Sequence, residues 1–113
     1  MFGLKILPSL FNQKIKSIIF DLDDTLYTGT IGEDGIKSIY QDKNQKKAEK
    51  IYSSLKKKGT LLSICSKNNK NDVVEVFEKK KLIKKLFFPI IANWKTKSSN
   101  IKEIQKKLKV SFH

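Results

Sequence analysis

The most constraining feature of the sequence is a short apolar run that ends in closely spaced carboxylates. Ile18–Phe20 is followed directly by Asp21, Leu22 and Asp23. A near-continuous apolar run is typical of a strand buried on both faces of a parallel sheet. Because side chains alternate along a strand, Asp21 and Asp23 can project to one side while Leu22 points to the other. The run therefore predicts a buried strand that opens into a charged site.

Two carboxylates this close together repel each other unless a cation lies between them. Carboxylate oxygens suit Mg²⁺, which commonly binds one or two protein carboxylates together with water and the oxygens of a substrate phosphate. The alternative is a turn in which aspartate side chains accept hydrogen bonds from their own backbone, which is common for Asp after a strand. The two carboxylates alone leave phosphoryl chemistry and a plain turn as open interpretations. We interpret the neighbouring Asp24 as a turn residue.

Downstream of the aspartates the chain alternates helical and strand patterns. Residues from about 42 to 58 predict a helix that stops at Gly59, and residues 60–66 predict a second buried strand ending at Ser66. The strand, helix, strand order predicts a crossover between parallel strands, whose carboxyl ends share the rim where ligands bind. Ser66 is therefore expected on the same rim as the two aspartates. The apolar residues of the predicted helix recur at core-facing spacing: Ala48, Ile51, Tyr52 and Leu55.

The second half of the chain repeats this alternation. Asp72 is a plausible N-cap for a helix whose apolar face includes Val73, Val76 and Phe77. The apolar run 86–92, broken by Pro89, predicts a short third strand. A last helix is predicted from a capping pair: Asn100 and Glu103.

Length and charge bound the possible function classes. A chain of 113 residues predicts one domain at most, which we assign to residues 14–113 after an irregular lead-in segment at 1–13. The formal net charge is +13, and all 24 basic residues are Lys. Because bidentate reading of guanine relies on Arg, specific nucleic-acid recognition is not expected. The lysines still permit loose, salt-sensitive phosphate binding or attraction to an acidic partner.

Three further observations favour a cytoplasmic protein. The single cysteine, Cys65, excludes an intramolecular disulfide and fits a reducing compartment. No run approaches the roughly 18 apolar residues of a membrane span. The first residues lack the basic start and long apolar core of a secretory signal.

The flanks of the aspartates carry a family resemblance. The apolar strand, Asp21, Asp23, Thr25 and a loop with three glycines together resemble motif I of the haloacid dehalogenase (HAD) superfamily of phosphohydrolases. The loop at 26–35 is similar to the IIIC or FkbH-like branch of that superfamily. Two later segments are similar to the same branch in the same order: Ile64-Cys65-Ser66-Lys67-Asn68 and Asn93-Trp94-Lys95-Thr96-Lys97-Ser98-Ser99-Asn100-Ile101.

The resemblance implies a Rossmann-like three-layer α/β core, in which a parallel sheet carries helices on both faces. A helix follows motif I too soon for a large inserted cap, so a capless member with an open site is expected. The family's fourth strand and motif IV would begin where this chain stops. We therefore expect a C-terminally incomplete domain, an open edge beside the first strand and weak or no catalysis.

The resemblance also implies roles for four residues. Asp21 would be the nucleophile that forms an aspartyl-phosphate, and Asp23 would be the general acid and base. Mg²⁺ would be held by the Asp21 carboxylate and the Asp23 backbone carbonyl. Ser66 would donate a hydrogen bond to a phosphate oxygen. Lys97 would stabilise the charge on the transferred group.

Substrate contacts are expected from residues of the same motifs: Thr25, Cys65, Asn68 and Trp94. Cys65 is open to two interpretations, a thioester nucleophile or, as we favour, buried core. Tyr27 and Trp94 either wall the site or pack the fold. For Cys65, Tyr27 and Trp94, the sequence by itself leaves these alternatives open.

The resemblance implies Mg²⁺-dependent removal of phosphate from a phosphorylated small molecule and glyceryl transfer to an acyl carrier protein. One alternative is a basic module that binds nucleic acid or an acidic partner, with the carboxylates acting only in a turn. Another is an inert remnant. Activity that depends on Asp21 separates the first function from both alternatives.

Overall fold

Four strands form one mixed sheet in the computed structural model, which describes residues 5–6 and 16–112. The strand order is β1-β2-β3-β4, and β2, β3 and β4 run parallel to one another. Helices α1 to α4 lie between and after the strands. The bounds are β1 Lys5–Ile6, β2 Ser17–Phe20, α1 Ile31–Asp34, α2 Lys43–Lys57, β3 Leu61–Ser66, α3 Lys70–Lys79, β4 Ile90–Ala92 and α4 Lys97–Phe112.

Strand β1 covers the edge of β2 that we expected to be open. It pairs antiparallel with β2 through Lys5 opposite Ile19 and Ile6 opposite Ile18. The open-edge prediction is therefore wrong at these two positions, because the backbone of β2 finds partners upstream in its own chain. Two residues carry no readable periodicity, so the sequence pattern gave no signal for this strand.

The sheet is packed on both faces, which makes the Rossmann-like three-layer α/β architecture. One face, with α2 and α3, contains the larger buried cluster, in which the Phe20 ring meets Tyr52 and Phe87 edge to face. The other face packs Ile19 and Cys65 against Ile104 and Leu108 of α4. No helix among the described residues combines the length and the apolar composition that crossing a bilayer requires.

Helix α2 begins with a capping box. The Asp42 side chain accepts from the Gln45 backbone N–H, and the Gln45 side chain accepts from the Asp42 N–H. This arrangement satisfies two otherwise unpaired donors at the helix start. Ile51 is 61% exposed, so its predicted core position is wrong. Tyr52 packs in the aromatic cluster as predicted.

The starts of α3 and α4 lie upstream of the predicted positions. Helix α3 begins after Asn69, and Asp72 lies inside its first turn, where it accepts from the Asn69 amide. Helix α4 begins at Lys97, so Asn100 is a buried first-turn residue and not a cap. Both predictions were wrong because the first apolar residue of each stripe comes after the first turn of its helix.

The segment between β2 and α2 is short and contains no inserted domain. Residues 21–42 hold α1, a single 3₁₀ turn at Ile36–Ser38 and an isolated bridge between Thr28 and Tyr40. This agrees with the capless architecture that we predicted. The carboxyl ends of β2 and β3 are consequently left uncovered by this segment.

Candidate active site

A pocket of about 330 Å³ lies at the carboxyl ends of β2 and β3, beside the start of α4. The parallel strands bring side chains from distant parts of the sequence to this rim. The pocket includes all four residues for which we predicted catalytic roles, and those roles stay predictions. Its lining residues are Asp21, Leu22, Asp23, Cys65, Ser66, Lys67, Lys97 and Asn100.

The Asp23 carboxylate is held by three hydrogen-bond donors. The Tyr27 hydroxyl donates to Oδ1 at 2.6 Å, the Ile31 backbone N–H donates to Oδ1 at 3.2 Å, and the Asn68 amide donates to Oδ2 at 3.1 Å. The Asn68 donor is 45 residues away in the sequence. A carboxylate that only closed its own turn would not need such a partner. Asp23 is therefore a fixed acceptor that two strand ends share.

Tyr27 is fully buried and directs its hydroxyl at Asp23. Burial raises the pKa of Tyr27 well above the ordinary tyrosine value, and the hydrogen bond to Asp23 adds to the increase. The hydroxyl therefore keeps its proton and remains a donor throughout the usual pH range. This contact could not be read from the sequence, in which Tyr27 was open to two interpretations.

Asp21 and Lys97 form an ion pair that stays accessible to solvent. The Lys97 Nζ lies 3.4 Å from Asp21 Oδ1, and the side chains are 44% and 35% exposed, respectively. An exposed pair of this kind contributes little to stability. Asp21 and Lys97 are thus free to bind a ligand at small energetic cost.

Ser66 and Asn68 extend the fixed part of the site. Ser66 is the last residue of β3 and is buried, and its Oγ accepts from the Asn68 amide at 2.6 Å. A hydroxyl that accepts a hydrogen bond in this way still has its own hydrogen to donate. The arrangement leaves that hydrogen for a ligand oxygen.

Asp24 differs from its two acidic neighbours because its side chain is used in a turn. Its Oδ1 accepts from the Gly29 N–H at 2.7 Å, and its own N–H donates to the Gly29 carbonyl at 3.1 Å. Asp24 has a φ of 55° and Gly29 a φ of 107°. Asp tolerates this left-handed conformation better than most residues, and Gly adopts it readily. Asp24 is a turn residue, as we interpreted it.

The structure does not bring every predicted substrate contact to this pocket. Thr25 lines a separate cavity of about 260 Å³ that it shares with the start of α2. Trp94 lines a neighbouring groove, and Asn68 lines that groove while it bonds to Asp23. Cys65 lines the pocket but is buried and packs in the α4 cluster.

Three pocket residues were not anticipated as such, and one of them is Leu22, which we expected to point away from the two aspartates. Lys67 lies between two motif residues, and no pattern separates it from the many other lysines. Asn100 was interpreted as a cap, yet its amide donates to Asn93 Oδ1 at 2.8 Å while its own Oδ1 is buried without a partner among the described residues. The signal that could have indicated the role of Asn100 was the presence of two asparagines, Asn93 and Asn100, in the segment 93–101.

The available oxygen atoms fit a hard cation that takes only a few of its ligands from the protein. The described residues contain no group of three His, Cys, Asp or Glu side chains that could hold a metal ion. The side-chain oxygens of Asp23 accept from Tyr27, Ile31 and Asn68, and its backbone carbonyl accepts from the Thr25 hydroxyl at 3.4 Å. A carbonyl oxygen has two lone pairs, so this one can still bind a metal ion. One carboxylate and one carbonyl are compatible with Mg²⁺, which keeps water and phosphate oxygens as its other ligands.

No family model matches the chain, and a comparison with curated proteins also found no match. Among solved structures, the chain is similar to the N-terminal part of protein BF1531 from Bacteroides fragilis, described as containing a phosphatase domain complexed with Mg. The TM-score is 0.73 with 30% sequence identity, over 85% of this chain and 27% of that chain. The chain thus spans about a quarter of the length of that relative. The likeness supports the HAD-like phosphatase fold, and the FkbH-like branch stays a prediction.

Proposed function

We propose that this chain is a Mg²⁺-dependent phosphohydrolase domain that acts through an aspartyl-phosphate on Asp21. The observation that carries the proposal is the contrast between two carboxylates of one pocket. Asp21 is accessible and paired with Lys97, whereas Asp23 is fixed by three donors. An accessible carboxylate suits nucleophilic attack, and a fixed one suits proton transfer. The Mg-bound phosphatase domain to which the chain is similar adds support.

The first half of the reaction uses both carboxylates. An Asp21 oxygen attacks the phosphorus atom, and the bond between phosphorus and the leaving oxygen breaks while Asp23 gives that oxygen a proton. Asp23 Oδ1 already accepts two hydrogen bonds and Oδ2 accepts one. Oδ2 is therefore the oxygen with capacity left to hold and release the proton.

The second half regenerates the enzyme. Asp23 takes a proton from a water molecule, the water oxygen attacks phosphorus, and the bond from phosphorus to Asp21 breaks to release inorganic phosphate. Lys97 and the Ser66 hydroxyl bind the non-bridging oxygens of the phosphoryl group in both halves. Bound Mg²⁺, held by the Asp21 carboxylate and the Asp23 carbonyl, would reduce the repulsion between the nucleophile and the anionic phosphate.

The proposal is tested by phosphate release from an aryl phosphate with and without Mg²⁺. In line with the weak catalysis expected from the sequence, we expect slow phosphate release. This release should require Mg²⁺ and disappear in Asp21→Asn. The matched control is Asp24→Asn, which changes the adjacent turn carboxylate and should keep the activity. Peptide mass spectrometry after incubation with acetyl phosphate should find a phosphoryl group on residue 21. Activity that survives Asp21→Asn contradicts the proposed nucleophile.

The finer proposal is the FkbH-like reaction, in which a glyceryl unit passes to an acyl carrier protein. It is supported by the motif resemblance and by the position of Cys65, a buried residue that is part of the pocket lining next to Ser66. The Cys65 thiolate would attack the acyl carbon of an acyl phosphate, so that the C–S bond of a thioester forms while the bond from that carbon to the departing phosphate oxygen breaks. In that case Cys65→Ala would abolish acylation of the protein and keep phosphate release. Equal loss of both activities would contradict a thioester role.

A further inference from the structure

A second groove of about 510 Å³ lies next to the candidate active site, between the start of α3 and the loop that follows β4. We call it the amide groove, because four of its lining residues are asparagines. The full lining is Asn68, Asn69, Lys70, Asn71, Asp72, Ala92, Asn93 and Trp94. The reaction proposed above makes no use of this groove beyond Asn68.

Trp94 gives the amide groove an exposed aromatic face. Its side chain is 65% exposed, which is the largest exposure among the big apolar residues that the structure describes. The indole is nevertheless fixed, because Nε1 donates to Asn69 Oδ1 at 2.8 Å. Tryptophan is well buried on average, so an exposure this large is unusual. Because the ring is held by its polar edge and its face is in solvent, that face is available for stacking.

The amides around Trp94 leave an acceptor and a donor for a ligand, because the contacts of Asn68 use its NH₂ group and those of Asn93 use its Oδ1. Asn side chains present a carbonyl oxygen and an NH₂ group, and this pair matches the edge of a heterocycle that carries donors and acceptors of its own. The two charged residues of the groove, Lys70 and Asp72, have opposite signs. The groove therefore favours an uncharged planar group with a polar edge over a second anion.

Two asparagines connect the amide groove with the candidate active site. Asn68 lines the groove and donates to both Asp23 and Ser66. Asn93 lines the groove and accepts from Asn100, which lines the active-site pocket. A group stacked on Trp94 would thus lie about one side chain away from a phosphate at Asp21.

We infer that the amide groove binds the planar heteroaromatic part of a phosphate ester, of the nucleobase kind, while the phosphate lies against Asp21 and Lys97. The substrate class is then a nucleoside monophosphate, which is an alternative to the glyceryl substrate of the finer proposal above. This inference rests on the proposed phosphatase function for the position of the phosphate. The groove would select the leaving group of the reaction, and the catalytic residues do not provide such selectivity.

Trp94 is the only tryptophan in the chain, so its fluorescence reports on the groove directly. The full chain is titrated without Mg²⁺ with the four common nucleoside 5′-monophosphates, ribose 5-phosphate and inorganic phosphate. Stacking on the indole should quench the emission with at least one nucleotide and with neither of the other two probes. Free tryptophan amide, titrated in parallel, corrects for absorption by the bases. Equal responses to nucleotides and ribose 5-phosphate would overturn the inference.

Calorimetry on variants separates stacking from phosphate binding. Trp94→Leu should weaken nucleotide binding roughly ten- to hundredfold, as expected for loss of one base-stacking side chain, and leave ribose 5-phosphate binding unchanged. Phe88→Leu, at an exposed aromatic residue outside both pockets, is the control and should change neither. A loss of the same size for both ligands in Trp94→Leu contradicts stacking.

The two proposals can fail separately. Phosphate release with no nucleotide-specific quenching would overturn the groove assignment and keep the phosphatase. Nucleotide-specific quenching in a chain that hydrolyses no phosphate ester supports the groove and contradicts the phosphatase.

Discussion

The loop after β2 lines the candidate active site, and the loop after β4 lines the neighbouring amide groove, and the two loops are built differently. The β2 loop, residues 21–30, is tied to its surroundings by the bonds to Asp23, by the Thr28 hydroxyl that donates to Gln45, and by the bridge to Tyr40. The β4 loop, residues 93–96, is fixed at its start by Asn93 and carries its largest side chain on the surface. The β2 loop is thus held by hydrogen bonds to neighbouring elements, whereas the β4 loop exposes its aromatic side chain to solvent.

A second contrast, between fixed and accessible side chains, lies within the candidate active site and matches the proposed reaction. Proton transfer needs a donor and acceptor held at hydrogen-bond distance, so a fixed Asp23 is an advantage. Binding an incoming anion needs charges that are accessible, as Asp21 and Lys97 are. Preorganisation and access are therefore separated between neighbouring residues. Three predictions test this separation, each on one residue of the contrast.

The largest effect is expected for Asp23→Asn. We expect the turnover number to fall about 10²- to 10⁴-fold, the usual contribution of a general acid or base. The substituted amide can keep the fold, because Asn68 can rotate its own amide to accept from the new NH₂ group. Steady-state kinetics with a thermal unfolding measurement checks both points. A variant that is stable and fully active would remove the distinction between Asp23 and its turn neighbour Asp24.

A smaller effect is expected for Lys97→Met, which removes a charge and keeps a similar length. Phosphate release should fall about 10²- to 10³-fold, as for loss of one group that stabilises transition-state charge. Stability should change by less than about 0.5 kcal/mol, since the ion pair is exposed. Lys95→Met, two residues before Lys97 in the loop that leads into α4, is the matched control. A large loss of stability in the Lys97 variant alone would show that this side chain belongs to the fixed part of the site.

The smallest effect is expected for Tyr27→Phe, and it appears in the pH dependence of stability. Because the pKa of Tyr27 is raised in the folded chain, the unfolded chain releases this proton first above about pH 10. The free energy of unfolding should therefore decrease with rising pH there, by at most about 1.4 kcal/mol per pH unit for this group. The variant should lack that part of the decrease.

Urea unfolding of both proteins over a pH series measures this difference. Burial, with a smaller contribution from Glu49, also raises the pKa of Tyr52. Part of the decrease should thus remain in Tyr27→Phe. A gap between the two proteins that stays constant from neutral to alkaline pH would contradict the buried hydroxyl as its source.

The sequence was sufficient for the order of the elements and for the rim of the sheet. The apolar runs at Ile18–Phe20 and 60–66 are buried strands, and the fold class predicted from them and from the family resemblance is confirmed. These predictions succeeded because burial on both faces of a parallel strand leaves an unbroken apolar run. The rim position of Ser66 follows from the same topology.

The bonds that fix Asp23 could not be predicted, because they depend on side-chain directions in three loops. The contact from Tyr27 depends on the turn at Asp24, where the backbone takes a positive φ. The contact from Asn68 spans two strand ends. The pairing of Lys5–Ile6 and the early start of α4 at Lys97 likewise left no periodic signal.

The triple anchoring of Asp23 has a consequence for how molecules enter and leave. A swing of the β2 loop away from the sheet would break the bond from Asn68 and expose the buried Tyr27 ring, which is costly. We therefore expect a ligand to displace the solvent-accessible Lys97 side chain more readily than the β2 loop. The part of the site that a ligand can displace is therefore different from the part that is anchored to the sheet.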